Sequence, residues 1–179
     1  MGIDLAAKES RCSGFAYIVC SNVCRVAEAR CLSTDSDILK AVAALVDHRP
    51  YVSIDAPFGL GGGMRDVDRR MISMGFRVFP PGFRYMRSLT LRAIEIIEGL
   101  KGLGISNVYE THPRSALLHS GCSSVEEVLK TLGIGYTINL PKLRKDLVDA
   151  ILCAIVSYCI DFRCCTVVEG ADGAIWILD

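Results

Sequence analysis

Three short apolar stretches of this chain each carry one carboxylate where a buried strand would stop, and any fold must first accommodate those charges. In Tyr51-Val52-Ser53-Ile54-Asp55-Ala56-Pro57, Val52 and Ile54 read as a buried strand, Asp55 stands at its end and Ala56-Pro57 stops it. Met1-Gly2-Ile3-Asp4-Leu5-Ala6 places Asp4 among apolar neighbours. Asn107-Val108-Tyr109-Glu110-Thr111-His112-Pro113 sets Glu110 shortly before a proline. An ionised carboxylate beside a buried strand is costly unless something positive faces it. Three strands that each bring one acid point to a shared cation.

The surrounding pattern is an alternation of strands and helices. Gly14 to Cys20 and Val23 to Cys31 read as two strands joined by Ser21-Asn22, which with the first strand make an antiparallel meander. Ser33-Thr34-Asp35 caps a helix that runs to about Asp47, with Ile38, Leu39, Val42, Leu45 and Val46 on one face. A helix between two strands predicts that the Asp55 strand pairs in parallel with the first. Helices are expected over Met64–Met74, Tyr85–Leu103 and most of Ser115–Leu132. A last helix is expected to open on Pro141 and run to about Phe162, and Cys164–Val168 and Ala174–Leu178 form a closing hairpin. The order β-β-β-α-β-α-α-β-α-α-β-β predicts an α/β fold, a mixed sheet with helices on its faces.

The last helix brings further acids. Asp146 and Asp149 stand at i and i+3 and share a face. Ala150, Cys153, Ala154 and Ser157 continue that side with small residues that let a helix lie close to a sheet. Asp4, Asp55, Glu110, Asp146 and Asp149 are therefore the candidate catalytic carboxylates, all hard oxygen donors suited to Mg²⁺ or Mn²⁺. Each also has a plainer role: Asp55 can hydrogen-bond its own turn, Asp4 can be a partnered strand-end residue, and Asp146 can be a helix-start acid.

The 179 residues are 51% hydrophobic and 22% charged, which suits one well-packed domain over 1–179. Formal net charge is zero, so a surface for a polyanion must be local. From Met64 to Arg92 there are seven arginines against Asp66 and Asp68, a net +5, interleaved with Phe76, Phe79, Phe83 and Tyr85. That suits phosphate contacts with stacking partners, although the same residues would also serve as an aromatic core under a solvated charged face. Arg65, Arg84, Arg87, His112 and Arg114 are the substrate-binding candidates. The Gly59-Leu60-Gly61-Gly62-Gly63 loop lacks the Lys-Ser/Thr of a nucleotide P-loop and reads as a flap beside Asp55.

Nine cysteines without Cys-x-x-Cys read as buried free thiols in a reducing cytoplasm, with disulfides of the hyperthermophile kind as the exception. The zinc spacings are absent. The longest apolar run, Leu147 to Ile160, contains Asp149 and is too short to span a bilayer. The opening strand leaves no room for a signal peptide.

Taken in order, Gly2-Ile3-Asp4-Leu5-Ala6, Ser53-Ile54-Asp55-Ala56-Pro57, Arg65-Asp66-x-Asp68, Glu110-Thr111-His112-Pro113-Arg114, Asp146-x-x-Asp149-Ala150 and Glu169-Gly170-x-Asp172-Gly173 resemble the family catalogued as domain of unknown function 429, predicted nucleases of RNase H-like fold. The resemblance covers essentially the whole chain. It implies a five-stranded sheet in order 3-2-1-4-5, to which the closing hairpin would be an addition. It also implies metal-binding acids at Asp4, Asp55 and Asp149, with Asp146 and Glu110 as neighbours, and a nucleic-acid partner. The paired-Asp helix is similar to that of Holliday-junction resolvases. Two other classes remain open. A kinase-like phosphotransferase on the same superfold would need Gly where Ala6 stands. A non-catalytic nucleic-acid-binding or scaffold module would bind no metal at the acids.

Overall fold

The computed structural model describes residues 1–179. In chain order the elements are β1 (Gly2–Asp4), β2 (Ser13–Cys20), β3 (Cys24–Leu32), α1 (Asp35–Ala43), β4 (Val52–Asp55), α2 (Asp66–Ser73) and α3 (Arg84–Gly102). They continue as β5 (Val108–Thr111), α4 (Pro113–His119), α5 (Val125–Thr131), β6 (Gly135–Tyr136), α6 (Lys145–Phe162), β7 (Cys165–Gly170) and β8 (Gly173–Leu178).

All the strands join one sheet in the order β6-β3-β2-β1-β4-β5-β8-β7. The expected core order is present within it: β1 is central, antiparallel to β2 and parallel to β4, and β5 follows β4 in parallel. The sheet has eight strands, not five. The closing hairpin is no appendage, because β8 pairs in parallel with β5 (Glu110 with Ile175, Thr111 with Trp176) and the Thr111 hydroxyl donates to the Trp176 carbonyl at 2.7 Å. A bare edge on β5 would leave a row of backbone donors and acceptors unpaired, and the hairpin satisfies them. At the far edge the two-residue β6 does the same beside β3.

Strand alternation sorts the side chains onto two faces. Ile3, Phe15 and Ile54 face α1 and α3, where Ile38, Val42, Ala93, Ile96 and Leu100 complete one apolar layer. Ala16 and Val26 face the other layer, which includes Ala150, Ile151 and Ala154 of α6 together with α4 and α5. Helix α6 lies unusually close to the sheet. A Cβ on Gly2 would fall within the backbone of Ala150 and Ala154, and one on Gly14 would strike the Asp146 carbonyl. The seat is completed by the Ser157 hydroxyl, 2.6 Å from the Met1 carbonyl and 2.7 Å from the Ser53 hydroxyl.

Two further sequence expectations fail here. Pro141 does not open α6. It sits in a separate turn of 3₁₀ helix over Leu140–Lys142, Leu143 is extended, and α6 begins at Lys145. The free-thiol reading fails for six cysteines, which pair as Cys12–Cys31, Cys20–Cys24 and Cys159–Cys164, leaving Cys122, Cys153 and Cys165 free. Strand pairing and the chain reversal after α6 bring these thiols together, which spacing alone does not disclose. The argument for a reducing compartment falls with it. No helix is long and apolar enough to cross a membrane.

Candidate active site

Asp4 and Asp55 end adjacent parallel strands and are direct register partners, so both project from the same face at the same edge of the sheet. It is the face on which Gly2, two residues before Asp4, receives α6. Asp146 and Asp149, from the first turns of that helix, join them around a cleft of about 730 Å³. Four basic side chains share it: Lys8 and Arg11 from the β1–β2 turn, and Arg144 and Lys145 from the start of α6.

The electrostatics of the acids are unfavourable as they stand. Burial, then the Asp149 and Asp146 carboxylates, push Asp4 up to about 7. Burial, then Asp4 and Asp149, hold Asp55 well above the usual carboxylate range. The nearest relief is Lys145, whose ammonium pairs with Asp149 and is itself raised by that bond. Arg144 pairs with Asp146 at 2.5 Å. Asp149 is thus engaged by a lysine, and no three His, Cys, Asp or Glu side chains are grouped so that they could hold a metal ion without movement. The Lys145 side chain is 83% exposed and can leave, whereas that of Asp149 is 13% exposed and is fixed by its helix.

Glu110 is set apart from this cluster. Its register partner is Ile54, one residue before Asp55, so period-two alternation turns its side chain to the opposite face. There it accepts from the Phe58 amide at 2.8 Å and from both terminal nitrogens of Arg65, at 2.7 and 2.5 Å. The same guanidinium donates to both oxygens of Asp68, at 3.1 and 2.7 Å. Arg65 is 2% exposed. Burial works against its charge, but the hydrogen bonds it donates to Glu110 and Asp68 prevail and raise its pKa. Burial raises Glu110, and Arg65 pulls it back. Arg65 was expected on a substrate surface and is instead a buried clamp, its donors consumed by two carboxylates.

The other arginines divide in the same way. Arg92 is buried, with its guanidinium on Asp35 (2.7 Å) and the Ala6 carbonyl (2.6 Å). Arg69, Arg70, Arg77, Arg84 and Arg87 are exposed. Of the aromatics, Phe76 packs on the core, whereas Phe79, Phe83 and Tyr85 are 57%, 51% and 58% exposed and lie 6.3–6.4 Å apart, centroid to centroid. Phe79, His112 and Asp55 line one small cavity, so this exposed group borders the acid edge on its β5 side.

His112 is the N-cap of α4, its Nδ1 accepting from the Ser115 amide at 3.3 Å, which places the neutral ring's proton on Nε2. Burial, then Arg114 and Lys145, lower it to about 4. Arg114 is exposed and makes no ion pair. The glycine loop folds into a short 3₁₀ turn over Gly61–Gly63, with positive φ at all three glycines, directly ahead of Arg65.

Sequence reading missed the basic groups of the cleft. Lys145 had a usable signal, since Lys145-x-x-x-Asp149 is an i, i+4 pair. The Arg65–Glu110 link, across 45 residues, had none.

No family model matches the chain, and no curated protein matches it. Among solved structures, Thermus thermophilus RuvC in complex with Holliday junction substrate is similar over 90% of this chain and 92% of that one, with a TM-score of 0.53 and 16% identity. A second structure of Thermus thermophilus RuvC matches over 90% of this chain and 95% of that one, at a TM-score of 0.46 and 17% identity. At 16% identity the likeness to the first is one of fold, a mixed α/β sheet with helices on its faces.

Proposed function

We propose that residues 1–179 act as one RNase H-like domain, a divalent-metal-dependent nuclease that hydrolyses nucleic-acid phosphodiester bonds. Asp4, Asp55 and Asp149 would hold Mg²⁺ or Mn²⁺, with Asp146 beside them. The carrying observation is the register pairing of Asp4 with Asp55 at one sheet edge, in a cleft shared with Asp149. Acids with a purely structural role look different in this molecule: Glu110 and Asp68 share one buried guanidinium.

The donor set, all carboxylate oxygen, fits a hard cation. Bound ions would polarise the phosphoryl oxygens and lower the pKa of a water nucleophile. For their part, the strand ends hold Asp4 and Asp55 at fixed spacing, and release of Lys145 would leave the Asp149 carboxylate unpaired on the wall of the same cleft. Arg84 and Arg87, beside exposed Phe79, Phe83 and Tyr85, suit a phosphate backbone with unstacked bases. Arg114 is a further free guanidinium near His112. The resemblance to the domain of unknown function 429 family supports the same reading. The RuvC complex makes branched DNA the first substrate to try.

One observation favours a second reading. Lys145 already neutralises Asp149, as it would in a nucleic-acid-binding module with no metal. Calorimetric titration with Mn²⁺, alongside nicking assays on a four-way junction and a single strand, separates the two. The nuclease reading expects metal binding and cleavage, both lost in Asp149→Asn. Binding without cleavage on any substrate removes the nuclease, and no Mn²⁺ binding leaves the module.

A further inference from the structure

Of the four cations around the acid cleft, two are spoken for and two are not. Arg144 and Lys145 pair with Asp146 and Asp149. Lys8 and Arg11 line the same cleft, are exposed, and make no ion pair or side-chain hydrogen bond. If their only task were to offset the acids, direct pairing would do it at less electrostatic cost, as their two neighbours show.

The turn that carries them is held firmly. Cys12, directly after Arg11, is bonded to Cys31 of β3. The Ala6 amide donates to the Ser13 hydroxyl at 3.1 Å, and the Ala6 carbonyl accepts from buried Arg92. Glu9, between the two cations, accepts from the Asp35 amide at the start of α1 at 2.8 Å. Glu9 is thereby turned away to α1, and Lys8 and Arg11 are left facing the cleft on a pre-ordered loop. A loop ordered before binding loses little entropy when it takes a ligand.

Position adds the second argument. In the sheet the acids of β1 and β4 lie between β2 and β5. The Lys8–Arg11 turn joins β1 to β2, on one side of them. Phe79 borders Asp55 on the β5 side, and exposed Arg84 and Arg87 lie in the first turn of α3, five and eight residues further along the chain. Free cations thus stand on the β2 side of the acids, and an exposed aromatic ring stands on the β5 side.

We propose that Lys8 and Arg11 form a second phosphate-binding wall, gripping the nucleic-acid backbone on the β2 side of the acids while the Arg84–Arg87 side holds it on the other. The inference rests on the nuclease reading for its ligand but not for its readout, which is binding. The ligand is the phosphodiester backbone of a strand crossing the cleft. A free mononucleotide, touching one wall only, binds far more weakly.

Fluorescence anisotropy across a KCl series tests it, with Asp4→Asn protein so that no bond is cut. The probes are a labelled four-way DNA junction, one of its strands alone, and a labelled mononucleotide. Lys8→Gln/Arg11→Gln should weaken strand or junction binding at least tenfold at low salt. The slope of log affinity against log salt should fall by about 1.4 to 1.8, as loss of two phosphate contacts requires. Lys8→Glu/Arg11→Glu should weaken it further, with thermal unfolding unchanged because both residues are exposed. Arg84→Glu/Arg87→Glu reports on the opposite wall. If that variant loses affinity and the Lys8/Arg11 variants do not, the second wall is wrong and the nucleic-acid reading stands. If the parent binds neither the junction nor the strand, both fall. Mononucleotide binding as tight as the strand would also overturn the two-walled site.

Discussion

Two kinds of buried acid coexist at the residue scale, and they should respond to mutation in opposite directions. Asp4 makes no ion pair and is pushed from 3.8 to about 7. A raised carboxylate binds its proton more tightly in the folded state, so stability falls as pH rises from about 4 to about 7 and the full penalty applies above that. Asp4→Asn removes the charge and keeps the shape. We expect it to stabilise the metal-free protein at pH 8 by on the order of 2–4 kcal/mol, with the difference gone near pH 4. Urea unfolding at both pH values checks this, and a destabilised Asn variant at pH 8 would contradict it. Glu110→Gln should do the reverse. Gln puts an amide NH₂ where a carboxylate oxygen now accepts from Arg65 or from the Phe58 amide, and a buried donor left unpaired costs about 1–3 kcal/mol, even though Asp68 still pairs the guanidinium. That loss should be seen at neutral pH with or without Mn²⁺, whereas Mn²⁺ should stabilise only proteins that keep Asp4 and Asp149.

At the scale of elements, the site depends on how close α6 lies to the sheet. Gly14 has no room for a side chain, because its Cβ position is taken by the Asp146 carbonyl. Gly14→Ala must therefore push back the first turn of α6, which carries Asp146 and, one turn on, Asp149. Overpacking of this kind costs about 1–3 kcal/mol. The distinctive expectation is that Mn²⁺ affinity falls along with stability, although residue 14 has no ligating atom. Thermal shift with and without Mn²⁺ measures both. Gly99→Ala, whose Cβ would press first on the Leu39 side chain away from α6, should leave metal affinity unchanged for whatever stability it costs.

For the whole molecule, the disulfides tie neighbouring elements of the sheet layer to one another. Cys12–Cys31 closes a separation of 19 residues and ties the cleft turn to β3. Cys159–Cys164 ties the end of α6 to the chain entering β7. Loop-closure entropy alone assigns about 3 kcal/mol to the first. Full reduction should lower the melting temperature by several degrees and leave the sheet's circular dichroism in place, since the two apolar layers do not depend on the thiols. Unchanged melting after reduction would mean that the cysteines are not paired in solution.

Much of this protein was written in local pattern. Alternating apolar residues marked the core strands, Ser33-Thr34-Asp35 marked the start of α1, where Thr34 is the N-cap, and one acid at the end of β1 and of β4 anticipated the row that forms. Small residues on α6 announced its close approach, because volume is a local property. The pairing of partners far apart in sequence was not local and was not legible. Edge pairing made the hairpin part of an eight-stranded sheet, the sequence having no term for which edge is free. Register parity sent Glu110 to the opposite face from Asp55, one residue being enough to reverse a strand's side chain. Long-range ion pairing turned Arg65 and Arg92 inward while Arg84 and Arg87 stayed in solvent, although all four look alike along the chain. A charge's fate is set by what packs against it, and only the assembled fold decides that.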